Sequence, residues 1–279
     1  MKKSSSLYRS LLIIFLGVCV VIGIFPIFLM FLNAFKTGSE LSFNSWGWPQ
    51  KFVLENFIRL INYSGGTIVR TYFNALFVAV SYTAMTIAVS SLAAFAFSKY
   101  KFKGRSILFG LLLATMMIPL EITIPPLYIV FSRIKWLNSY YVQIFPGIAS
   151  VFCMFMLKQY MDGMPTSLLE SARIDGAGHL TVFGKIMFPI CAPAVGAMTI
   201  LIFLGKWNDF LWPQTMLTNP KYMPIMVILP TLNDRDAIWA IPWELLMAGC
   251  SIVVVPLIIV FFIFQKYFMS SIVIGAVKE

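Results

Sequence analysis

The sequence contains very little charge. Only 11% of its 279 residues are charged, whereas 59% are hydrophobic. Soluble domains have about a quarter charged residues, so this composition excludes an ordinary soluble protein. A chain of this length instead accommodates roughly six apolar segments of about 20 residues each, together with the loops that join them.

Histidine and cysteine are scarce, and phosphate-binding loops are absent. The single histidine, His179, excludes a multi-histidine zinc site, and the four cysteines lie in apolar runs without C-x-x-C spacing. The nearest approach to a Walker A loop, Gly178 to Lys185, has the wrong spacing and no Ser or Thr after the lysine. We therefore expect no metal site, no catalytic residue and no cofactor in this chain, which disfavours a membrane-embedded enzyme.

Basic residues flank the apolar runs. The net charge of +10 comes from short clusters, such as those at residues 2–9 and 99–105, so it does not indicate nucleic-acid binding. Because positive residues concentrate on the cytoplasmic side of membrane proteins, we expect both clusters there. The first apolar run is longer than the core of a signal peptide, so we interpret it as a retained helix.

Six windows are long and apolar enough to span a bilayer. They cover residues 11–32, 71–98, 106–132, 136–157, 186–205 and 245–265. We expect an all-α integral membrane protein with six transmembrane helices and both termini in the cytoplasm. Its parts are a cytoplasmic N-terminus (1–10), a transmembrane domain (11–268) and a cytoplasmic tail (269–279). The apolar piece 223–232 is too short to span, so it is either re-entrant or packed on the bundle.

The long cytoplasmic segment, residues 158–185, has signals for a helix, a turn and a second helix. Ser167 and Glu170 have the spacing of a capping box, and Gly176 lies where a left-handed residue can end a short helix. Leu169, Ala172 and Val182 are among the residues of an apolar surface. That surface either packs on the protein's own helices or docks on a partner, and the pattern alone does not separate the two.

Part of this segment resembles a known motif. The run E-S-A-R-I-D-G-A from Glu170 to Ala177, followed by Pro189, is similar to the EAA loop of binding-protein-dependent ABC importer permeases, with Ser171 in place of an alanine. Residues 74–102, M-I-P at 117–119, K-W-N-D-F-L-W-P at 206–213 and the C-terminal 275–279 resemble the carbohydrate-uptake class of the maltose and glycerol-3-phosphate type.

This resemblance implies a fold, a function and partners. The fold is that of a type I ABC importer permease in a bacterial or archaeal cytoplasmic membrane. The partners are a second homologous permease, two cytoplasmic ATPase subunits that bind ATP and magnesium, an extracytoplasmic sugar-binding protein, the sugar and the lipid bilayer. Residues 158–185 become the loop that couples the permease to the ATPase. The ATPase-coupling candidates are Glu170, Ser171, Ala172, Asp175, Gly176 and Ala177.

Four polar or aromatic residues are candidates for the substrate path, namely Glu121, Asn74, Asn208 and Trp207. Glu121 is the only charged residue inside a predicted span, and a charged group within the membrane often marks a translocation path. The alternative is that the span is shifted, so that Glu121 reaches the membrane–water interface. For the two asparagines, hydrogen bonding between helices is the commoner role, and a tryptophan at a span's end more often anchors the interface. The alternative function, an ion-coupled secondary transporter, requires several buried ionisable residues.

Overall fold

The computed structural model describes residues 2–63, 65–232 and 242–276, and within these ranges the chain forms helices and turns without a β-strand. The all-α prediction is confirmed. The last three residues of the predicted tail, 277–279, lie outside the described ranges. The helices are α1 (Lys2–Asn33), α2 (Gly38–Phe43), α3 (Glu55–Asn62), α4 (Thr67–Lys99), α5 (Arg105–Thr115), α6 (Leu120–Arg133), α7 (Tyr140–Ile144), α8 (Val151–Asp162), α9 (Ser167–Ile174), α10 (His179–Val182), α11 (Phe188–Ile190), α12 (Ala192–Trp207), α13 (Leu211–Met216), α14 (Ile225–Ile228) and α15 (Trp243–Ala276).

Three of the described helices, α1, α4 and α15, are each long and apolar enough to cross a membrane. They coincide with the first, second and sixth predicted windows. The third and fifth windows fall on pairs of helices that bend sharply, by 95° between α5 and α6 and by 78° between His179–Ile190 and α12. The described residues thus contain three such helices, or five spans if each bent pair counts as one, and the predicted number of six is not confirmed.

Prolines account for the two bends. Pro119 precedes α6 in an extended conformation, and a residue before proline is disfavoured in the helical region, so α5 cannot continue through Ile118. The second bend lies at Cys191, between Ile190 and the start of α12. Pro193, in the first turn of α12, has no N–H with which to bond the carbonyl of Pro189, and its ring would crowd that carbonyl in a continuing helix. Pro189 itself lies before the bend and follows a π-helical turn, Phe183–Met187.

The fourth predicted window, residues 136–157, is not one helix. α7 ends at Ile144 and α8 begins at Val151, with Pro146 and Gly147 between them. Gly147 has a φ of 87°, in the left-handed region that glycine adopts without strain. A Pro-Gly pair is a turn signal, and the apolar composition of this window concealed it.

The larger of two compact units comprises residues 70–227 and the described residues after 255. Its core joins α4, α8, α9, α10 and α12, so the segment that the sequence predicts to be cytoplasmic packs on other helices of the same unit. Buried members of this core include Phe95, Phe97, Leu157, Met161, Leu169, Val182, Met187 and Met198.

The smaller unit comprises residues 2–69 and the described residues of 228–255, and it contains an ordered polar loop after α1. Lys36 is fully buried, and its Nζ donates to Asn33 Oδ1 and to the carbonyls of Asn44 and Gly47 at 2.6–2.8 Å. Burial lowers the pKa of Lys36, while the nearby Glu40 carboxylate acts in the opposite direction. Three hydrogen bonds satisfy the ammonium group, so the loop tolerates a buried lysine.

Candidate functional site

Residues 163–187, here called the α9–α10 segment, fold as a helix, a turn and a second helix, as the sequence predicts. The helix α9 begins at Ser167, and the carbonyl of Thr166 accepts hydrogen bonds from the N–H groups of Leu169 and Glu170. Ser167 is therefore the first helical residue, and Thr166 stands at the cap position. The predicted Ser167–Glu170 capping box is therefore wrong, because the third helical residue is Leu169 and not Glu170.

Gly176 makes the turn between the two short helices. Its φ is 79°, and the N–H of Ala177 donates to the carbonyl of Ala172 at 2.9 Å, which is the bond of a Schellman C-cap. A Cβ added at Gly176 would meet no atom within 4 Å. The left-handed backbone, and not crowding, is the reason for glycine at this position.

One face of the α9–α10 segment packs on the core of its own chain. Leu169, Ala172 and Val182 are buried there, and Ala177 is half-buried against the same core. The small side chain of Ala172 thus allows close packing within this protein. On this face the segment packs on the protein's own helices, which is one of the two alternatives that the sequence pattern left open.

The other face of the segment is exposed. Ile174 and Leu180 are 86% and 76% exposed, and Glu170, Ser171 and Asp175 are exposed as well. On an ordered surface segment, these two side chains offer apolar area that a partner could bury. The sequence analysis missed Ile174 and Leu180, although their position outside the apolar stripe of the segment was a usable signal.

A cavity of about 400 Å³ lies in the larger unit, next to the middle of α4. This volume is within the range of small-molecule sites, about 300–1,000 Å³. Its walls come from α4, α6, α12, α13 and the turn between α7 and α8, including Tyr82, Thr86, Leu120, Ser150, Lys206 and Trp212.

Lys206 and Asp209 supply the charges of this cavity. The Nζ of Lys206 lies 2.8 Å from Asp209 Oδ2 and 5.0 Å from the centre of the Tyr82 ring. The Tyr82 hydroxyl donates to the carbonyl of Gly147 at 3.1 Å. A paired cation and anion beside aromatic rings offer hydrogen-bond donors, acceptors and apolar faces without net charge. Both residues belong to the K-W-N-D run of the sequence, but we did not predict either as a site residue.

Asn74, a predicted path residue, is buried and bonded within the protein. Its Nδ2 donates to the carbonyls of Lys221 and Met223 at 2.8 and 3.1 Å, and its Oδ1 accepts from the Tyr140 hydroxyl at 2.7 Å. These bonds fasten the start of the apolar piece 223–232 to α4. Hydrogen bonding between structural elements therefore occupies this side chain, and contact with a substrate stays a prediction.

Trp207 and Asn208 do not line the cavity. Trp207 is only 1% exposed, and its ring stacks on Phe203 at 5.8 Å and meets Tyr72 edge-on at 5.7 Å. Asn208 is exposed, and its Nδ2 donates to the carbonyl of Leu204. Both remain predictions as path residues.

Glu121 is exposed in the first turn of α6. The preceding residue, Leu120, lines the cavity. Glu121 itself is not one of the lining residues. Its part in a substrate path stays a prediction.

Comparison with a family model identifies a match over most of the larger unit. The model described as "Binding-protein-dependent transport system inner membrane component" matches residues 86–273. The matched range includes the whole α9–α10 segment and both ends of the Lys206–Asp209 pair.

Two curated relatives match almost the full chain. An arabinooligosaccharides transport system permease protein, AraQ of Bacillus subtilis (strain 168), is 36% identical over 277 residues, covering 98% of this chain and 97% of that protein. A sulfoquinovosyl glycerol transport system permease protein, SmoH of Agrobacterium fabrum, is 29% identical over 265 residues, covering 94% and 91%.

A solved structure has the same fold. In the crystal structure of a bacterial ABC transporter involved in the import of the acidic polysaccharide alginate, one chain matches with a TM-score of 0.84 and 20% sequence identity. The match covers 95% of this chain and 98% of that chain.

Proposed function

The chain belongs to the family of binding-protein-dependent transport system inner membrane components, and from this we infer that it is the permease subunit of an ATP-binding-cassette importer for carbohydrates. It forms half of the translocation pathway in the cytoplasmic membrane of a bacterium or archaeon. It is a non-catalytic membrane subunit, so the energy for transport must come from another polypeptide.

The two-sided α9–α10 segment is the observation that carries this proposal. Leu169, Ala172 and Val182 hold it on the membrane helices, while Ile174 and Leu180 remain exposed. Burying each exposed side chain against a partner would contribute about 1.5–3 kcal/mol. A rigid segment with an exposed apolar face is suited to receive force from a separate ATPase, and Glu170 and Asp175 add acceptors for basic groups of that partner.

The assembly we propose contains a second homologous permease, two ATPase subunits on the cytoplasmic side and an extracytoplasmic sugar-binding protein. The family description, with its reference to a binding protein, supports the last of these. ATP and magnesium bind to the ATPase subunits in this proposal, because the sequence of the permease has no phosphate-binding loop.

We place the α9–α10 segment and both termini in the cytoplasm. The basic turn after α4, residues 99–105, lies at the same end of the larger unit as the segment, because Lys99 Nζ donates to the carbonyl of Met164 at 2.8 Å. The positive-inside rule assigns this turn to the cytoplasm, and the segment is then on the same side.

The substrate class we propose is a carbohydrate. One relative is named for arabinooligosaccharides and another for sulfoquinovosyl glycerol, and each of these compounds contains a sugar. The cavity supports this class, since Tyr82 and Trp212 offer aromatic faces and the Lys206–Asp209 pair offers donors and acceptors for hydroxyl groups.

The complex purified through an affinity tag on this chain tests the proposal. We expect an ATPase subunit to copurify, and its ATP hydrolysis to increase when the binding protein and a cognate oligosaccharide are added. A chain that purifies without an ATPase, or an ATPase that does not respond to any sugar-loaded binding protein, would contradict it.

A further inference from the structure

The last two residues of α4 and the residue after them contact the α9–α10 segment and the end of α8. Each residue makes a hydrogen bond to a different part of the chain: Ser98 to Asp162 at 2.7 Å, Lys99 to the carbonyl of Met164 at 2.8 Å, and Tyr100 to Nδ1 of His179 at 2.6 Å. We call residues 98–100 the α4 clasp. It holds the beginning of the segment and the start of its second helix at once.

Tyr100 is fixed on the α4 side before it reaches His179. Its ring meets the Phe95 ring edge-on at 5.4 Å, and its carbonyl accepts from Arg105 Nη1 at 3.2 Å. The rings of Tyr100 and His179 lie 5.2 Å apart. Because His179 is the first residue of α10, this contact connects the start of the second short helix to the end of α4.

Asp162 adds a charged anchor to the clasp. Its Oδ2 lies 2.6 Å from Lys158 Nζ, and its Oδ1 accepts from Ser98. Burial acts to raise the pKa of Asp162, but the hydrogen bonds from Lys158 and Ser98 outweigh it, so that the pKa lies below its usual value. The carboxylate is therefore ionised near neutral pH, which strengthens both bonds.

The helix that ends in the clasp also forms a wall of the cavity. Tyr82 and Thr86 belong to α4, and Thr86 precedes Lys99 by about 20 Å at 1.5 Å of rise per residue. The sequence of α4 contains neither proline nor glycine, the usual causes of a sharp kink. A displacement at its end is therefore transmitted to the cavity wall.

We propose that Lys99 and Tyr100 are positioning residues that couple movement of the α9–α10 segment to α4 and thereby to the cavity. This inference rests on the proposed function, since an ATPase must move the segment. The clasp residues contact the segment at Met164 and His179, while Ile174 and Leu180 stay available to a partner. Their substitution therefore changes the transmission of movement without changing the docking face.

The test is the amount of sugar transported per ATP hydrolysed by the whole complex in proteoliposomes. Tyr100→Phe keeps the ring on Phe95 and removes only the hydroxyl. We expect the ratio to fall about three- to tenfold, as loss of one hydrogen bond would produce. ATP hydrolysis without sugar and the amount of complex should not change. Lys99→Met should lower the ratio in the same way, and Tyr160→Phe, which removes a hydroxyl outside the clasp, should not.

Two outcomes would overturn the proposal. One is a normal ratio in both Tyr100→Phe and Lys99→Met. The other is an equal fall in transport, hydrolysis and amount of complex, which would indicate a purely structural role. A wild-type complex that shows no sugar-stimulated ATP hydrolysis would instead refute the proposed function, and this inference with it.

Discussion

At Gly176 a single backbone angle determines which residue the chain accepts. Its φ is 79°, and the space around it is open, so a valine there costs about 1–2 kcal/mol of backbone strain without a clash. We predict that Gly176→Val loses sugar-stimulated ATP hydrolysis while its abundance in the membrane is unchanged. Asparagine tolerates left-handed angles, so Gly176→Asn should keep most of the stimulation. Full stimulation in the valine variant would contradict this account of the turn.

The sequence predicts the left-handed turn at Gly176 correctly because the signal is local, a glycine two residues after the end of a short helix. It does not reveal the surroundings of Asn74 or Trp207. Asn74 bonds Lys221 and Met223, nearly 150 positions away in the chain, and no short-range pattern reports such a pairing. Polar and aromatic residues in a membrane helix therefore remain ambiguous between substrate contact and internal bonding until their partners are known.

The helix α9 has two faces with different roles, and substitutions on them should have different effects. We predict that Ile174→Ser leaves the abundance of the chain unchanged but weakens its association with the ATPase, because only the exposed face is altered. Leu169→Ser removes a buried side chain from the core and should lower abundance, at a cost of about 2–5 kcal/mol. Quantitative immunoblots measure the abundance of each variant, and copurification measures its association with the ATPase. Equal loss of abundance in the two variants would contradict the assignment of faces.

The helices α12 and α15 approach closely at Gly196. A Cβ at this position would lie 2.6 Å from the Cβ of Tyr267, so Gly196→Ala should destabilise the protein by about 1–3 kcal/mol through overpacking. Gly110 is a matched control in α5, where an added Cβ meets nothing within 4 Å, and alanine is the better helix former. Thermal unfolding of the purified complex should show a lower midpoint for Gly196→Ala alone. A midpoint lowered equally in both would refute close packing at Gly196.

Hydropathy predicts α1, α4 and α15 because each is a long uninterrupted apolar helix. It does not predict the bends of 95° and 78°, since the windows that contain them have the same composition as a straight span. Pro119, Pro193 and the pair Pro146-Gly147 were the available signals. A proline alone does not mark a break, since Pro26 and Pro256 lie inside α1 and α15.

For the whole molecule, charge predicts which side each loop faces. We expect a cysteine placed at Lys101 or Glu170 to react with a membrane-impermeant thiol reagent only from the cytoplasmic side, and one at Lys51 or Lys221 only from outside. All four positions are exposed, so reactivity reports sidedness and not burial. The cysteine variants must be made in a protein from which the exposed native Cys19 has been removed. Labelling of Lys101→Cys from outside would invert the orientation and separate the α9–α10 segment from a cytoplasmic ATPase.

ATP-driven accumulation of a labelled oligosaccharide is the most direct test of the central claim, that this chain is the permease of an ATP-driven sugar importer. The complex, purified through this chain and reconstituted in proteoliposomes, should accumulate the sugar only when its binding protein is on the external face and ATP is on the ATPase side. ADP in place of ATP, or an imposed proton or sodium gradient without ATP, should give no uptake. Uptake driven by an ion gradient in the absence of ATP would contradict the account and favour a secondary transporter.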